Sequence, residues 1–444
     1  ALETIGVRAF ENATYPNIIY MGNIKDIRDY AFHNCQNLSI VEFGAGLKTV
    51  GNYAFKGCAL TTVVGELNDG STAGIETIGD YAFAQNNLES FPFGDNLTSI
   101  GKYAFEYNKL HEVNIPDSLE ILGKGTFQYN RIQILNFGTN NKLRVIPDDT
   151  FSCNQIIVSD NKTFLEIPSS VYTIGGSAFS GNSELQKVVI RSQTVGDYAF
   201  SGCEKLTSVV LSPYTQNFGV NPFRRCLNLS NIQYSGTLSN PKYMSGYDKS
   251  GSGSSALIEL NCIYEVETNT IISGCKNTVI PDFITGFGES AFWGMGIEYI
   301  YVPKTVTTFG AGSLYNVKQV FLESEVNPLT DKTSNYCDKA MTGIYKIYER
   351  NSIVYAIYKT ENEYTATVVY AVKPAAETIG VGGKVTILSY IDIDTWNIAY
   401  VTKINDYVFS DCTQIKEIVL ASDETDMRLA EIGEGAFKGC SSLI

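Results

Sequence analysis

The amino-acid sequence predicts a repeat solenoid, α/β or β-rich, in which short units stack and share one continuous core. Three observations predict this fold class. An Ala-Phe pair or a close variant recurs along the chain with a typical step of 22 residues, as between Phe83 and Phe105. Asn or Cys follows at a fixed distance, and an alternating apolar stretch comes next. A unit of this size cannot bury its apolar face alone, so neighbouring units must cover it.

The fullest copy of the repeat is Ile-Gly-Asp-Tyr-Ala-Phe at residues 78–83. Its Gly-x-x-Ala-Phe segment is too short for an independent helix, so we expect one helical or 3₁₀ turn that directs the aromatic side chain inward. One ring per unit predicts an aromatic spine. The position is held by Phe10, Phe32, Phe55, Phe83, Phe105, Phe127, Phe151, Phe179, Phe200, Phe223, Phe292, Leu314, Phe409 and Phe437.

The position three residues after this Phe is occupied by Asn or Cys, and we call it the ladder site. Both side chains are small and can hydrogen-bond to the backbone at a tight bend. The exchange of the two residue types therefore indicates one structural role. The ladder site holds Cys35, Cys58, Asn86, Asn108, Asn130, Asn154, Asn182, Cys203, Cys226, Cys412 and Cys440.

An alternating apolar stretch follows each ladder site, and residues 110–116 show it clearly. Val113 and Ile115 alternate with Glu112 and Asn114. This period of two is typical of a strand with one buried face. Pro116 then ends the strand, because proline has no N–H to continue a ladder.

The Asn/Cys site, the spaced aliphatic residues and the Ile-Gly-Asp-Tyr-Ala-Phe motif together resemble the BspA-like subclass of leucine-rich repeats. The resemblance covers residues 1–235, 270–320 and 404–444. It implies a right-handed superhelix with a parallel sheet on one face and short helical turns and irregular segments on the other. It also implies an extracellular, adhesin-like or host-binding role, and it brings no catalytic residues.

Departures from the repeat divide the chain. Residues 1–320 are expected to form the solenoid, with degenerate coils and a Gly/Ser-rich loop at about 236–270. Residues 321–403 are rich in Tyr, Val and Ile and predict a β-rich spacer or irregular coils. Residues 404–444 hold further repeats. The alternative to two arrays joined by a spacer is one bent, continuous solenoid.

Composition narrows the classes of partner. The 44% hydrophobic and 18% charged residues indicate a folded chain. The net charge of −14 disfavours nucleic acid and anionic membrane surfaces. The sequence starts and stops inside a repeat, which we interpret as a fragment whose export signal and anchor lie elsewhere.

Candidates for chemistry are few. His33 and His111 are the two histidines and fall in different repeats, and no Cys-x-x-Cys pair is present. We therefore expect neither an enzyme nor a cofactor or metal site. The ladder cysteines are expected to be free thiols, because Asn replaces them. Cys262 and Cys275 flank a turn at Thr268-Asn269, so a disulfide is an alternative there, although Cys275 also fits the ladder.

Binding is expected on the outward face of the stacked strands. The candidate residues are Glu112, Asn114, Lys187, Asn231 and Gln233, together with Tyr299 and Tyr301. The two tyrosines are the best hot-spot candidates, because Tyr gives large contact area at a modest entropy cost. Ordinary β-propensity on a solvated sheet is the alternative explanation for them.

Three functions compete. The first is a secreted or cell-surface module that binds a host or microbial protein, such as an extracellular-matrix component, over its sheet. The second is a glycan-binding module with exposed tyrosines stacked on sugar rings. The third is a spacer that projects another domain. No nucleic acid and no membrane insertion within this chain are expected.

Overall fold

The structure is a computed structural model that describes residues 1–444 except 1, 15–16, 66–73, 158–163, 237, 239–240, 248–257, 326, 328, 330–338, 351–352, 362, 372–382, 396 and 421–427. Two compact units are present. Unit 1 comprises residues 1–279, 284–297 and 308–316, and unit 2 comprises residues 280–283, 298–307 and 317–444.

Unit 1 consists of short strands joined by tight turns. The strands are β1 Thr4–Ile5, β2 Ile18–Tyr20, β3 Asp26–Ile27, β4 Ile40–Glu42, β5 Thr49–Val50, β6 Thr62–Val64, β7 Thr77–Ile78, β8 Ser99–Ile100, β9 Glu112–Ile115, β10 Ile121–Leu122, β11 Ile134–Phe137, β12 Val145–Ile146, β13 Leu165–Ile167, β14 Thr173–Ile174, β15 Lys187–Ile190, β16 Thr194–Val195, β17 Ser208–Leu211, β18 Asn217–Phe218, β19 Asn231–Tyr234, β20 Tyr243–Tyr247, β21 Ile258–Glu265, β22 Thr270–Ser273, β23 Gly286–Phe287 and β25 Thr308–Phe309.

Most coils contribute two strands, so two rows of parallel strands form where the sequence predicts one sheet. A two-residue strand precedes the motif glycine, and these pair in the orders β1-β3-β5-β7-β8-β10 and β12-β14-β16-β18. A longer strand follows the ladder site, and these pair as β2-β4-β6, β9-β11 and β13-β15-β17-β19. Two residues are too few to show an alternating pattern, which explains why the first row is not evident in the sequence.

The second row is not continuous. The coil that contains Phe91-Pro92-Phe93 contributes no strand to the second row, which is therefore interrupted between β6 and β9. Proline lacks the N–H that a ladder needs, and this accounts for the break. The Phe91 and Phe93 rings instead pack edge-on against the spine ring of Phe105, at 4.7 and 5.4 Å between centroids.

The Gly-x-x-Ala-Phe segment is a hydrogen-bonded turn, and no described residue of the chain lies in a helix. The prediction of a helical or 3₁₀ turn at this segment is therefore wrong. Residues two before and two after the Phe have positive φ, as at Tyr81 (56°) and Gln85 (58°). Their N–H groups bond to the next coil, since Tyr81 N–H donates to Lys102 O at 2.8 Å and Gln85 N–H to Glu106 O at 2.8 Å.

The predicted aromatic spine is confirmed. The Phe83 and Phe105 side chains are fully buried, and their rings stack at 5.3 Å between centroids. Stacked contacts continue from Phe10 through Phe223 in unit 1 at 4.9 to 5.7 Å.

The motif glycine is required by close approach between coils. A Cβ on Gly79 would lie 2.7 Å from the backbone nitrogen of Asn52 in the preceding coil. That space lets Asn52 Oδ1 accept a hydrogen bond from Asp80 N–H at 2.7 Å. Equivalent side-chain oxygens in other coils belong to Asp29, Asp80, Asp148, Asp197 and Asp406.

The ladder site bonds to backbone as expected. Asn108 Nδ2 donates to Phe83 O at 2.9 Å in the preceding coil, and its Oδ1 accepts from Leu88 N–H at 3.0 Å. Cys58 replaces only the first of these contacts, since its Sγ donates to Phe32 O at 3.0 Å.

The segment after β19 departs from the repeat. Tyr243–Tyr247 is a strand, where the sequence predicts a loop, and it pairs antiparallel with β21. β21 and β22 form the hairpin expected around Thr268-Asn269. β22 then pairs parallel with β23, so residues 270–273 fill the place of a two-residue strand.

Unit 2 contains the predicted β-rich segment. Its strands are β24 Tyr299–Val302, β26 Gln319–Leu322, β27 Lys339–Met341, β28 Lys346–Arg350, β29 Ile353–Lys359, β30 Tyr364–Ala371, β31 Lys384–Ile387, β32 Tyr390–Asp392, β33 Ile398–Ile404, β34 Glu417–Leu420 and β35 Glu431–Ile432.

The strands of unit 2 form three sheets. β24-β26-β27 is parallel, β28-β29-β30-β33-β32 is mixed with β35 also paired to β33, and β31 pairs β34. β29 and β30 form an antiparallel hairpin. Because β33 pairs parallel with both β30 and β35, the sheet passes directly into the last coils, where Phe409 stacks on Phe437 at 5.1 Å.

Candidate functional site

The outward face of β13-β15-β17-β19 gathers three of the predicted binding residues in unit 1. Strand register aligns Lys187 with Ser208 and Asn231. One residue pair further along, Val189 aligns with Val210 and Gln233. Lys187, Asn231 and Gln233 therefore share one surface, which we call the sheet face.

The sheet face has an apolar centre and a polar surround. Val189 and Val210 are half-buried and lie side by side. Glu166 continues their row and pairs with Arg191 at 2.7 Å. The Lys187 ammonium lies 5.5 Å from the Phe164 ring centroid. Such an arrangement can bury apolar area while its rim makes polar contacts.

One acceptor on the sheet face is unsatisfied. Asn231 Oδ1 is buried and has no hydrogen-bond partner among the residues that the structure describes. A buried acceptor without a donor costs about 1–3 kcal/mol. A ligand that supplies an N–H or O–H removes that cost once the Asn231 side chain rotates to bring its oxygen to the surface.

Glu112 and Asn114 lie on a different sheet of unit 1. Both are exposed, and Asn114 Nδ2 donates to Glu112 Oε1 at 2.8 Å. Asn136 Nδ2 donates in turn to Asn114 Oδ1 at 2.8 Å. The predicted residues of unit 1 thus form two patches, and neighbouring side chains already use the hydrogen-bonding groups of this second patch.

Tyr299 and Tyr301 are not on an open surface. The Tyr299 hydroxyl bonds to Glu349, and the Tyr301 hydroxyl donates to Tyr345 O at 3.0 Å, all within unit 2. Burial raises the pKa of both phenols. Both rings pack against the buried cluster of Phe321, Ile344, Val354, Ala356 and Val369. Both side chains are therefore half-buried and already bonded within unit 2, and ligand binding by them stays a prediction that this geometry does not favour.

A family model identifies the repeat. The description of that family is "BspA type Leucine rich repeat region (6 copies)", and the model matches residues 2–69, 76–162, 158–245, 263–352 and 386–444. The chain belongs to this family. The matches cover well over half of the sequence, which agrees with the ladder and spine geometry.

Solved structures of leucine-rich repeat proteins are similar to this BspA-type chain at low identity. A leucine-rich repeat protein from Bacteroides ovatus is 18% identical, covers 100% of this chain and 81% of its own, and has a TM-score of 0.43. A leucine-rich cell surface protein from Faecalibacterium prausnitzii is 17% identical over 70% of this chain and 83% of its own, with a TM-score of 0.35.

The pneumococcal vaccine antigen PcpA is 12% identical over 97% of this chain and 76% of its own, with a TM-score of 0.35. No curated protein matches the chain.

The tyrosines of the BspA-type turns form a closed column in unit 1. Tyr30, Tyr53, Tyr81 and Tyr103 stack at 4.8 to 5.0 Å between centroids. The Arg8 guanidinium covers the first ring at 4.6 Å. A Cβ on Gly125 would lie 2.3 Å from the Tyr103 ring, so backbone covers the other end. This column therefore does not offer the faces on which sugars stack.

Cys262 and Cys275 are buried free thiols, so the disulfide considered for them is not formed. Cys275 Sγ donates to Asn261 O at 3.0 Å, which gives the thiol a partner within the hairpin. Burial raises the pKa of Cys275 to about 11. A neutral thiol is the stable form in this environment.

The described residues contain no group of three or more His, Cys, Asp or Glu side chains placed to hold a metal ion. They also form no helix that is long and apolar enough to cross a membrane.

The predicted binding residues did not include Glu166 and Phe164 of the sheet face. An insertion at 158–163 lengthens the spacing from Phe151, so the strand at Leu165–Ile167 does not fall at the usual distance. The Leu-Glu-Ile alternation was the signal that could have located it.

Proposed function

We propose that this chain is a secreted or cell-surface interaction module that binds a host or microbial protein, such as an extracellular-matrix component, over the sheet face. The observation that supports it is the combination of an apolar centre at Val189 and Val210 with an unsatisfied acceptor at Asn231. Membership of the BspA-type family is consistent with a protein-binding role.

The extent of the sheet face suits a protein ligand. Four strands about 4.8 Å apart present an extended surface. Shallow surfaces gain affinity by burying a central apolar cluster inside a polar rim, and small ligands instead prefer enclosed pockets. Lys187, Gln233 and the Arg191–Glu166 pair supply that rim.

The contact inside unit 2 gives a second physical argument. There, the outward residues of β24 and β26 are covered by β28-β30 through apolar packing and tyrosine hydroxyl bonds. A strand face of this repeat type can thus hold another β-sheet. The sheet face of unit 1 carries the same strand geometry with different side chains.

The test is a binding screen against arrayed extracellular-matrix proteins and glycans. Val189→Glu/Val210→Glu places two charges in the apolar centre. Ile121→Glu/Val145→Glu is the matched control, because those side chains are 62% and 45% exposed on two-residue strands. We expect saturable protein binding that is at least about tenfold weaker in the first variant and unchanged in the control.

Three outcomes contradict the proposal. Equal affinity of both variants would move the site away from the sheet face. Binding to glycans alone would favour a glycan-binding module, and no binding to either array would favour a spacer.

A further inference from the structure

A column of stacked side chains in unit 1 ends in a cationic turn that the sheet face does not involve. The Arg224 guanidinium lies 3.9 Å from the ring centroid of Trp293 and 5.5 Å from that of Tyr198. Tyr315 packs on Trp293 at 4.5 Å between centroids. A Cβ on Gly312 would lie 2.8 Å from the indole, so backbone covers that side as well.

Two more cations surround the backbone that follows Trp293. Arg225 Cγ lies 2.9 Å from the place where a Cβ on Gly294 would stand. Lys276 Cε lies 3.2 Å from the same point on Gly296. Both glycines have positive φ, 65° and 64°, so the turn between the cations is bare backbone. We call Arg224, Arg225, Lys276 and Gly294–Gly296 the cationic turn.

No described carboxylate forms an ion pair with the cations of this turn. Within the described part of the chain, Arg224, Arg225 and Lys276 form no ion pair. Arg224 Nε is buried without a hydrogen-bond partner, and Lys276 Nζ reaches only Asn228 Oδ1 at 3.4 Å.

Arg8, which caps the tyrosine column, shows the opposite arrangement. It is paired with Glu11 at 2.7 Å. Among the described residues, 13 of the protein's 33 lysines and arginines form such a pair, and Arg224, Arg225 and Lys276 do not.

The net charge of −14 does not cancel this local charge. At physiological salt the Debye length is about 8 Å, so exposed carboxylates further away are largely screened. Guanidinium and ammonium groups donate charge-assisted hydrogen bonds to oxyanions, and these are roughly twice as strong as neutral ones. The turn can therefore hold an anionic group although the whole protein is acidic.

Closed ring faces decide between anionic polymers. The faces of Trp293 are covered by Arg224 and Gly312, so bases of single-stranded nucleic acid find no stacking platform here. A duplex brings one charge per about 1.7 Å toward an acidic protein, which adds repulsion outside the turn. An acidic polysaccharide needs only oxyanion contacts at its edges.

We propose that the cationic turn binds the sulfate groups of an acidic polysaccharide. Arg225 and Lys276 contact the anion directly, while Arg224 is positioned by the Trp293 ring and presents the edge of its guanidinium. The side chains of this site are not those of the sheet face, although Lys276 N–H donates to Leu229 O at 3.0 Å, two residues before Asn231. The proposal does not depend on the proposed protein ligand.

The test uses heparin as the sulfated probe and the whole chain. Arg225→Ala/Lys276→Ala removes two charges from the turn. Lys102→Ala/Arg131→Ala removes two exposed charges elsewhere in unit 1 and is the matched control. We expect the Kd for heparin to rise about tenfold or more in the first variant and less than about twofold in the control. Chemically desulfated heparin should not bind.

Equal melting temperatures of both variants and the unaltered chain establish that folding is intact. If the alanine pair does not fold, Arg225→Gln/Lys276→Gln takes its place in the experiment. Equal weakening in the two variants would overturn the proposal, because net charge alone would then explain it. Absence of heparin binding, or equally tight binding of single-stranded DNA that is lost with the same substitutions, would also overturn it.

Discussion

The coils fall into two classes by the number of positions from the ladder site to the next buried aliphatic residue, which we call the step. The step is two in one class and three in the other, and the classes differ in how the N–H of that aliphatic residue is hydrogen-bonded. In the Asn108 coil the step is two, and Leu110 N–H donates to Asn130 Oδ1 of the next coil at 3.1 Å. In the Cys203 coil the step is three, and Leu206 N–H donates to Cys203 O of its own coil at 3.0 Å. The acceptor for the N–H of the aliphatic residue thus lies in the next coil when the step is two and in the same coil when the step is three.

This difference explains the distribution of Asn and Cys. Buried N–H groups need an acceptor, and a step of two leaves no carbonyl of the same turn in reach. Among the coils whose ladder site holds Asn or Cys, those with a step of two are followed by an Asn, and those with a step of three are followed by a Cys where the next coil has an Asn or Cys ladder site. The two-step coils contain Cys58, Asn86, Asn108, Asn130 and Asn154, and the three-step coils contain Cys35, Asn182, Cys203 and Cys412.

Asn182 distinguishes this explanation from a simple grouping of Asn coils and Cys coils along the chain. Its own coil has a step of three, with Leu185 N–H bonded to Asn182 O at 3.2 Å, yet it is Asn. The preceding Asn154 coil has a step of two, and Ile156 N–H donates to Asn182 Oδ1 at 3.1 Å. The step of the preceding coil therefore determines whether the ladder residue is Asn or Cys.

The largest expected effect is one that both classes of coil share. Phe105→Ala in a two-step coil and Phe200→Ala in a three-step coil each remove a fully buried ring. We expect each to lower the free energy of unfolding by about 3–5 kcal/mol. Urea denaturation measures this cost. A difference of more than about 2 kcal/mol between the two variants would show that the classes differ in their cores as well.

The next effect should divide the classes. Asn130→Ala leaves the Leu110 N–H and the Phe105 carbonyl without this partner, and we expect a loss of about 3 kcal/mol. Cys203→Ala removes one weak thiol donor, and we expect about 1 kcal/mol. Denaturation of the two variants side by side provides the measurement. Equal costs would contradict the ladder explanation.

A rescue sharpens the comparison further. Asn130→Cys keeps a donor toward Phe105 O but loses the acceptor for Leu110 N–H, at an expected cost of about 2 kcal/mol. Inserting one residue between Lys109 and Leu110 gives that coil a step of three. The combination should be more stable than the sum of the two single changes, as a double-mutant cycle would show. Simple additivity would contradict it.

The smallest effect is a pH dependence limited to cysteine coils. Burial raises the pKa of Cys226 above that of an unfolded thiol, about 8.5. Its stabilising contribution is complete below that pH and decreases above it, since only the unfolded thiol then loses its proton. At pH 9.5 the expected loss is about 1 kcal/mol.

Denaturation at pH 8 and pH 9.5 should show that Cys226→Ala removes this part of the pH dependence and Asn130→Ala does not. A pH dependence that is the same in both variants would assign it to other groups.

The sequence was sufficient for features that recur in every coil. Phe105 and Asn108 lie where the repeat places them, because a fixed register transmits the environment of one coil to the next. Backbone conformation at Tyr81 was not predictable in the same way. Positive φ is rare for Tyr, and here the inter-coil hydrogen bonds of the turn determine it.

Features that depend on distant parts of the chain were missed. Tyr299 is covered by a strand about 50 residues away, so local alternation could not reveal the contact. The cationic turn was missed for a similar reason. Arg224-Arg225 was visible in the sequence, but the approach of Lys276 and Trp293 depends on the hairpin inserted between them.

The bond from Asn52 to Asp80 across the vacant side of Gly79 bears on how such an array can change its length during evolution. The accepting oxygen belongs to one coil, and the glycine that leaves space for it belongs to the next coil. A duplicated or deleted coil therefore carries one side of the junction before it and one side of the junction after it. Gain or loss of a coil is therefore tolerated where the halves that meet are alike, as within the run from Asn86 to Asn182. At a change of class, the same event leaves an N–H without an acceptor, and the natural unit of recombination is the junction between coils.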